Sequence, residues 1–135
     1  MEFTLETMKF IEGSIVKLLK EDLPIRMSYK LSKFYDVLSK EMTKVEELRQ
    51  QLVKRYGEEV EGSIKVTTEN LEVFNKEYGD LMREAITVEF DPIDVNQIIS
   101  YSERLEEMGK PAISLSAVDI SQLKSVNLLK ESQGE

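Results

Sequence analysis

The sequence predicts a mainly α fold: a long central helix with antiparallel helices packed on each half, plus a small β-hairpin element and C-terminal helices. Three observations predict it. Only 6 Gly and 3 Pro punctuate 135 residues, which favours long uninterrupted elements. Apolar residues recur at spacings of three and four along most of the chain, the helical period. From Ile25 to Tyr56 there is no Gly or Pro, and Leu31, Leu38, Val45 and Leu52 fall seven apart, which gives one helix a continuous apolar seam.

The elements follow in order. Leu5, Met8, Ile11, Ile15 and Leu18 mark a first helix over about 5–20, with Thr4 as N-cap. Pro24 disfavours helical geometry at Leu23 and opens the next helix. That helix runs from Ile25 to Tyr56; Phe34 and Leu48 share its second core column, with Met42 beside Glu41. Gly57 stands where a C-terminal glycine cap belongs. GEEVEGSIKVTT reads as an acidic loop with a short strand at Ile64-Lys65-Val66. Thr67 or Thr68 caps a third helix over 69–84, built on Leu71, Phe74, Tyr78 and Leu81. Residues 86–90, ITVEF, have strand chemistry, and Ile64-Lys65-Val66 is their expected mate. Asp94 with Gln97 forms a capping box for a helix over 95–108, ended by Gly109 and Pro111. Ile113-Ser114-Leu115 adds a short strand, and Ser116 with Asp119 boxes a last helix through Val118, Leu123, Val126 and Leu129. The expected organisation is one helical domain over 1–130 and a frayed tail over 131–135.

Composition narrows the function. Hydrophobic residues make up 41%, enough to bury a core. The net charge of −8 repels phosphate backbones and argues against general nucleic-acid binding. Cysteine and histidine are both absent. That removes thiolate nucleophiles, disulfides, Cys-based metal sites and the usual general base near neutral pH. The N-terminus lacks signal-peptide character and no apolar run approaches the length of a bilayer span. No phosphate loop, GxSxG, HExxH or Walker pattern occurs. The expectation is a non-enzyme, with no catalytic, cofactor-binding or metal residue to name.

Charge is unevenly placed. Residues 17–40 carry six basic and three acidic side chains, whereas residues 41–108 carry eight basic and seventeen acidic. Arg26, Lys30 and Lys33 recur at four and three and share a helix face, with Tyr29 and Tyr35 nearby. Basic and aromatic side chains together can grip phosphate or a partner; an ordinary solvated helix surface explains the same pattern. Glu58, Glu59 and Glu61, with Glu46 and Glu47 before them, form the densest negative run, a docking feature or a solvated loop. Glu89, Asp91 and Asp94 could in principle hold a divalent cation, but the glycine turn and distal Glu of a Ca²⁺ loop are missing. Asp94 reads better as a cap and Asp91 as a turn former. Arg26, Tyr29, Lys30, Lys33, Glu58, Glu59 and Glu61 are therefore the candidate partner-binding residues. A protein partner is expected, self-association is open, and neither nucleic acid nor membrane is implied.

LPIRMSYKLSK (Leu23 to Lys33), KRYGEE (Lys54 to Glu59), VFNKEYGDLMREAITVEFDPI (Val73 to Ile93) and ISLSAVDISQLKSV (Ile113 to Val126) together resemble a family of small tailed-phage proteins of unknown function. Residues 94–110 are longer than the family's pattern. The resemblance implies a phage or prophage origin. By analogy it implies either an inhibitor that binds host machinery or a virion or tail-assembly accessory protein, in the bacterial cytoplasm or on the particle.

Overall fold

The computed structural model describes residues 1–131; the rest of the expected frayed tail, 132–135, lies outside the described residues. The order is β1 (Glu2–Thr4), α1 (Leu5–Leu19), α2 (Ile25–Tyr56), β2 (Gly57–Val60), β3 (Ser63–Val66), α3 (Leu71–Met82), β4 (Ala85–Thr87), β5 (Ile93–Asp94), α4 (Val95–Glu107), α5 (Ala117–Ser125) and β6 (Leu129–Lys130). The described chain is mainly helical, with three small two-stranded sheets.

The Thr4 hydroxyl accepts the Thr7 N–H at 3.1 Å and starts α1 as the sequence predicts. Leu5, Met8, Ile11, Ile15 and Leu18 are buried against the first half of α2, where Leu31, Phe34 and Leu38 are buried in turn. Each such side chain contributes roughly 1.5–3 kcal/mol relative to exposure. The break at 20–24, closed by Pro24, turns α2 back along α1. Unbroken over 32 residues, α2 is about 48 Å long. The shorter α3 packs over its far half, so Leu48 and Leu52 there are only half-buried.

The β pairings differ from the expectation. Ile64-Lys65-Val66 pairs not with residues 86–90 but with its immediate neighbour β2, in a hairpin matching Gly57 with Val66 and Val60 with Ser63. The turn is Glu61-Gly62, with φ of 51° and 83°, the positive values that suit strand twist in a two-residue hairpin loop. Strand β4 pairs instead with β1, Phe3 opposite Ile86, and the Val88 N–H extends the ladder to the Met1 carbonyl at 2.8 Å. Burial decides this choice: Phe3 is drawn into an edge-to-face cluster with Phe34 and Phe90, ring centroids 5.5 and 5.4 Å apart.

Gly57 is not a left-handed cap. Its φ is −109°, and it is needed for closeness: a Cβ there would overlap the Val53 carbonyl and lie 2.7 Å from Ile64 Cγ2. The third helix starts later than expected. Thr67 first accepts the Asn70 N–H through its hydroxyl, at 3.3 Å, and its carbonyl, at 3.1 Å. The helix proper then begins at Leu71.

Both C-terminal helices end in left-handed caps. Lys110 donates to the Leu105 carbonyl and Gly109, at φ 74°, to that of Glu106. Leu128 donates to Leu123 and Asn127, at φ 65°, to Lys124. This paired pattern stops a helix and frees the chain to leave it. The last helix therefore ends at Ser125, before Leu129, which forms a short parallel pair with Ile93. Ile113-Ser114-Leu115 is no strand either; the Ile113 and Ser114 N–H groups are taken by Ser102 Oγ and Glu21 Oε1. No helix among the described residues is long and apolar enough to cross a membrane.

Candidate functional site

The first turns of α2 bring four of the sequence candidates together. At about 100° per residue, Ile25 and Tyr29 stack on the side of the helix away from Phe34, Leu38 and Val45. Ile25 is 82% exposed and Tyr29 65%. Arg26, Lys30 and Lys33 form one flank of this stripe, and the Lys33 ammonium sits 5.5 Å from the Tyr29 ring centroid, a cation–π contact. The other flank is Ser28 and Ser32. All of these but Lys33 border a shallow depression with no carboxylate among the described residues of its lining. Among the described residues none of the three cations is in an ion pair.

Tyr35, expected nearby, is not part of this face. It lies roughly 120° around the helix from Tyr29 and packs half-buried against the core. On the Lys30 and Lys33 side a second depression is bordered by Met1, Tyr29, Glu89, Phe90 and Asp91. Phe90 anchors that segment on Phe34, which holds Glu89 and Asp91 beside the lysines and tempers their field. Asp94 is separate: its carboxylate accepts the Asn96 N–H at 2.9 Å as the cap of α4. Among the described residues no group of acids converges in a way that could hold a metal ion.

The acidic candidates lie at the other end of α2. Glu58 stands opposite Lys65 and Glu59 opposite Ile64, with Glu61 in the turn. Every residue from Glu58 to Lys65 is exposed, including Val60 at 46% and Ile64 at 42%. Glu46 and Glu47 do not join them. Glu46 is held by Arg49, at 2.9 and 3.0 Å, and by Gln50, and the Arg49 hydrogen bonds, then that of Gln50, bring its carboxyl down to about 2.

One polar cluster is interior. Ser14, 3% exposed on the apolar stripe of α1, donates its hydroxyl to Asp119 Oδ1 at 2.8 Å. Gln122 Oε1 lies 2.9 Å from Ser14 Oγ and is a second acceptor beside the same hydroxyl. Lys17 completes the set at 3.2 Å from Asp119, which also closes the expected capping box with Ser116. The Ser116 hydroxyl, then that of Ser14, holds the Asp119 carboxyl well below the usual aspartate range. The cluster clasps α1 to α5.

Sequence reasoning missed Ile25, Val60 and Ile64 as surface features. Ile25 and Tyr29 were separable from the core by angle alone, one helical turn apart and opposite the Leu31, Phe34, Leu38 column. Exposure of Val60 and Ile64 carried no such signal, since it depends on nothing packing over the hairpin. No family model matches this chain, and no curated protein or solved structure matches it.

Proposed function

We propose that this is a non-catalytic interaction protein that docks a protein partner on the Ile25–Tyr29 face of α2 and blocks or modulates that partner by occupying its surface. One observation carries the reading: two large apolar side chains, 82% and 65% exposed, stacked a turn apart beside three cations that no carboxylate pairs among the described residues. Isolated apolar side chains on a surface are ordinary. A Tyr anchor with Arg at its rim is the composition found where interfaces concentrate their energy. Charge complementarity sets the occupant's chemistry, a protein segment carrying carboxylates around one or two apolar side chains. Glu89 and Asp91 beside the lysines, and the net charge of −8, disfavour a nucleic acid here. The resemblance to small tailed-phage proteins supports a host or phage protein as that partner, met in the bacterial cytoplasm or on the virion.

A photo-crosslinking residue at position 29 tests this, with position 76 on α3 as control. The expected result is one discrete adduct at 29 whose sequenced site is an acidic, apolar-anchored segment, lost when Arg26 and Lys33 are both changed to Glu. No discrete adduct, or the same adducts at 76, would refute it. A virion or tail-assembly role is the second reading, favoured by the chemically unlike ends of α2. Mass spectrometry of purified particles separates them: presence supports assembly, absence supports an inhibitor.

A further inference from the structure

The two ends of α2 are complementary, and we infer that they are the two halves of one interface, with the β2–β3 hairpin of one copy seated on the Ile25–Tyr29 face of the next. This rests on the docking reading above and names its occupant as a second copy of the chain. The hairpin carries three carboxylates, Glu58, Glu59 and Glu61, against the single ammonium of Lys65, and presents Val60 and Ile64 to solvent. The face carries the inverse, Arg26 and Lys33 exposed around Ile25 and Tyr29. Carboxylates around an apolar pair are the chemistry that face selects.

Geometry makes the contact intermolecular. The face occupies the first turns of α2 and the hairpin begins at Gly57, directly after its last residue; with about 48 Å of helix between them, they cannot meet within one chain. The outer face of the hairpin is also uncovered. It rests on α2, but among the described residues its strands form a two-stranded sheet with no third strand, and a surface closing over the exposed Val60 and Ile64 would steady it. Because the two patches are different, the contact is head-to-tail, and each copy keeps one free end for the next.

The size of the patches sets the strength. A hairpin tip buries less than the roughly 800 Å² per partner of a stable complex, so association is weak and appears at high local concentration. The net charge of −8 opposes it at long range. That repulsion is screened beyond about 10 Å at 0.1 M salt, where touching charge pairs survive.

Sedimentation velocity on the full chain tests the inference from about 10 µM to 1 mM, the range suited to weak contacts, in about 0.1 M salt. Wild type should show mass rising with concentration, and at least tenfold weaker association in about 1 M salt. Two variants at exposed positions decide the surfaces, Arg26→Glu with Lys33→Glu, and Glu58→Lys with Glu59→Lys. Each alone should stay monomeric, with unchanged far-UV circular dichroism. Mixed in equal amounts they should associate again, since acidic face then meets basic hairpin and the reverse. A monomeric wild type at every concentration overturns the inference, as does salt-insensitive association or a mixture that fails to recover. A monomeric wild type whose position-29 crosslink lands on another protein's acidic segment sinks only the second-copy assignment and leaves the docking reading in place.

Discussion

Replacing Phe34 probes a contact that joins β1, α2 and the segment after β4. Its side chain is 1% exposed. The ring meets Phe3 edge-to-face at 5.5 Å and 75°, and Phe90 at 5.4 Å and 64°. Each aromatic pair is worth about 0.5–1.5 kcal/mol beyond buried area. Phe34→Leu keeps most of the apolar volume and loses both pairs, so it should cost about 1–3 kcal/mol. Phe34→Ala adds the lost transfer energy and a cavity, for a total of about 3–5 kcal/mol. Against the roughly 5–15 kcal/mol of a typical domain, the alanine variant should be close to the edge of folding. Urea denaturation followed by far-UV circular dichroism, with the slope checked for constancy, reads both. Amide exchange adds a local signature: the Val88 N–H, bonded to the Met1 carbonyl, should lose protection in Phe34→Leu before the middle of α2 does. A cost under about 1 kcal/mol for Phe34→Ala, or unchanged protection of the Val88 N–H in Phe34→Leu, would refute the claim that this aromatic cluster selects the β1–β4 pairing.

Gly57→Ala should open the base of the hairpin at a cost of about 1–3 kcal/mol through overlap with backbone, seen as lost amide protection at Val66. Gly109→Ala, with nothing near its Cβ but a φ of 74°, should cost about 1–2 kcal/mol and leave the hairpin signals unmoved. Asp119 is ionised more readily folded than unfolded, so its stabilising share is complete above the ordinary aspartate value near 4 and is lost as pH falls toward the lower folded value. The stability gap between wild type and Asp119→Asn should therefore shrink between about pH 5 and pH 3, measured by urea midpoints; a constant gap would mean that the charge on this carboxylate is immaterial. Ile25→Ser with Tyr29→Ser should stay within about 0.5 kcal/mol of wild type by urea midpoint while abolishing the concentration-dependent rise in sedimenting mass.

Local rules carried what depends on neighbours a few residues apart. The bounds of α2 were legible because 32 residues without Gly or Pro leave no place to break, and Pro24 and Gly57 mark its ends. The Thr4 cap and the Ser116–Asp119 box were legible for the same reason, since each closes within three residues. The face of Arg26, Tyr29, Lys30 and Lys33 followed from spacing on a known helix. What the sequence by itself determined is thus a mainly helical chain with a long spine, charged unequally at its two ends, and with a basic-aromatic face near the start.

Strand pairing was decided only by the tertiary structure. Ile64-Lys65-Val66 and ITVEF both needed a mate, and nothing local ranks GEEV or EFT above the other; the choice turned on burying Phe3 and Phe90 against Phe34 across the whole fold. The last helix stops at Ser125 because Asn127 takes the left-handed turn that lets Leu129 reach Ile93, a contact invisible to periodicity. Ser14 lies on the apolar stripe of α1, and only the packing of α5 brings Asp119 to it. Exposure has the same origin: whether Ile25, Val60 and Ile64 meet water depends on which elements pack over them, and that is a property of the assembled chain.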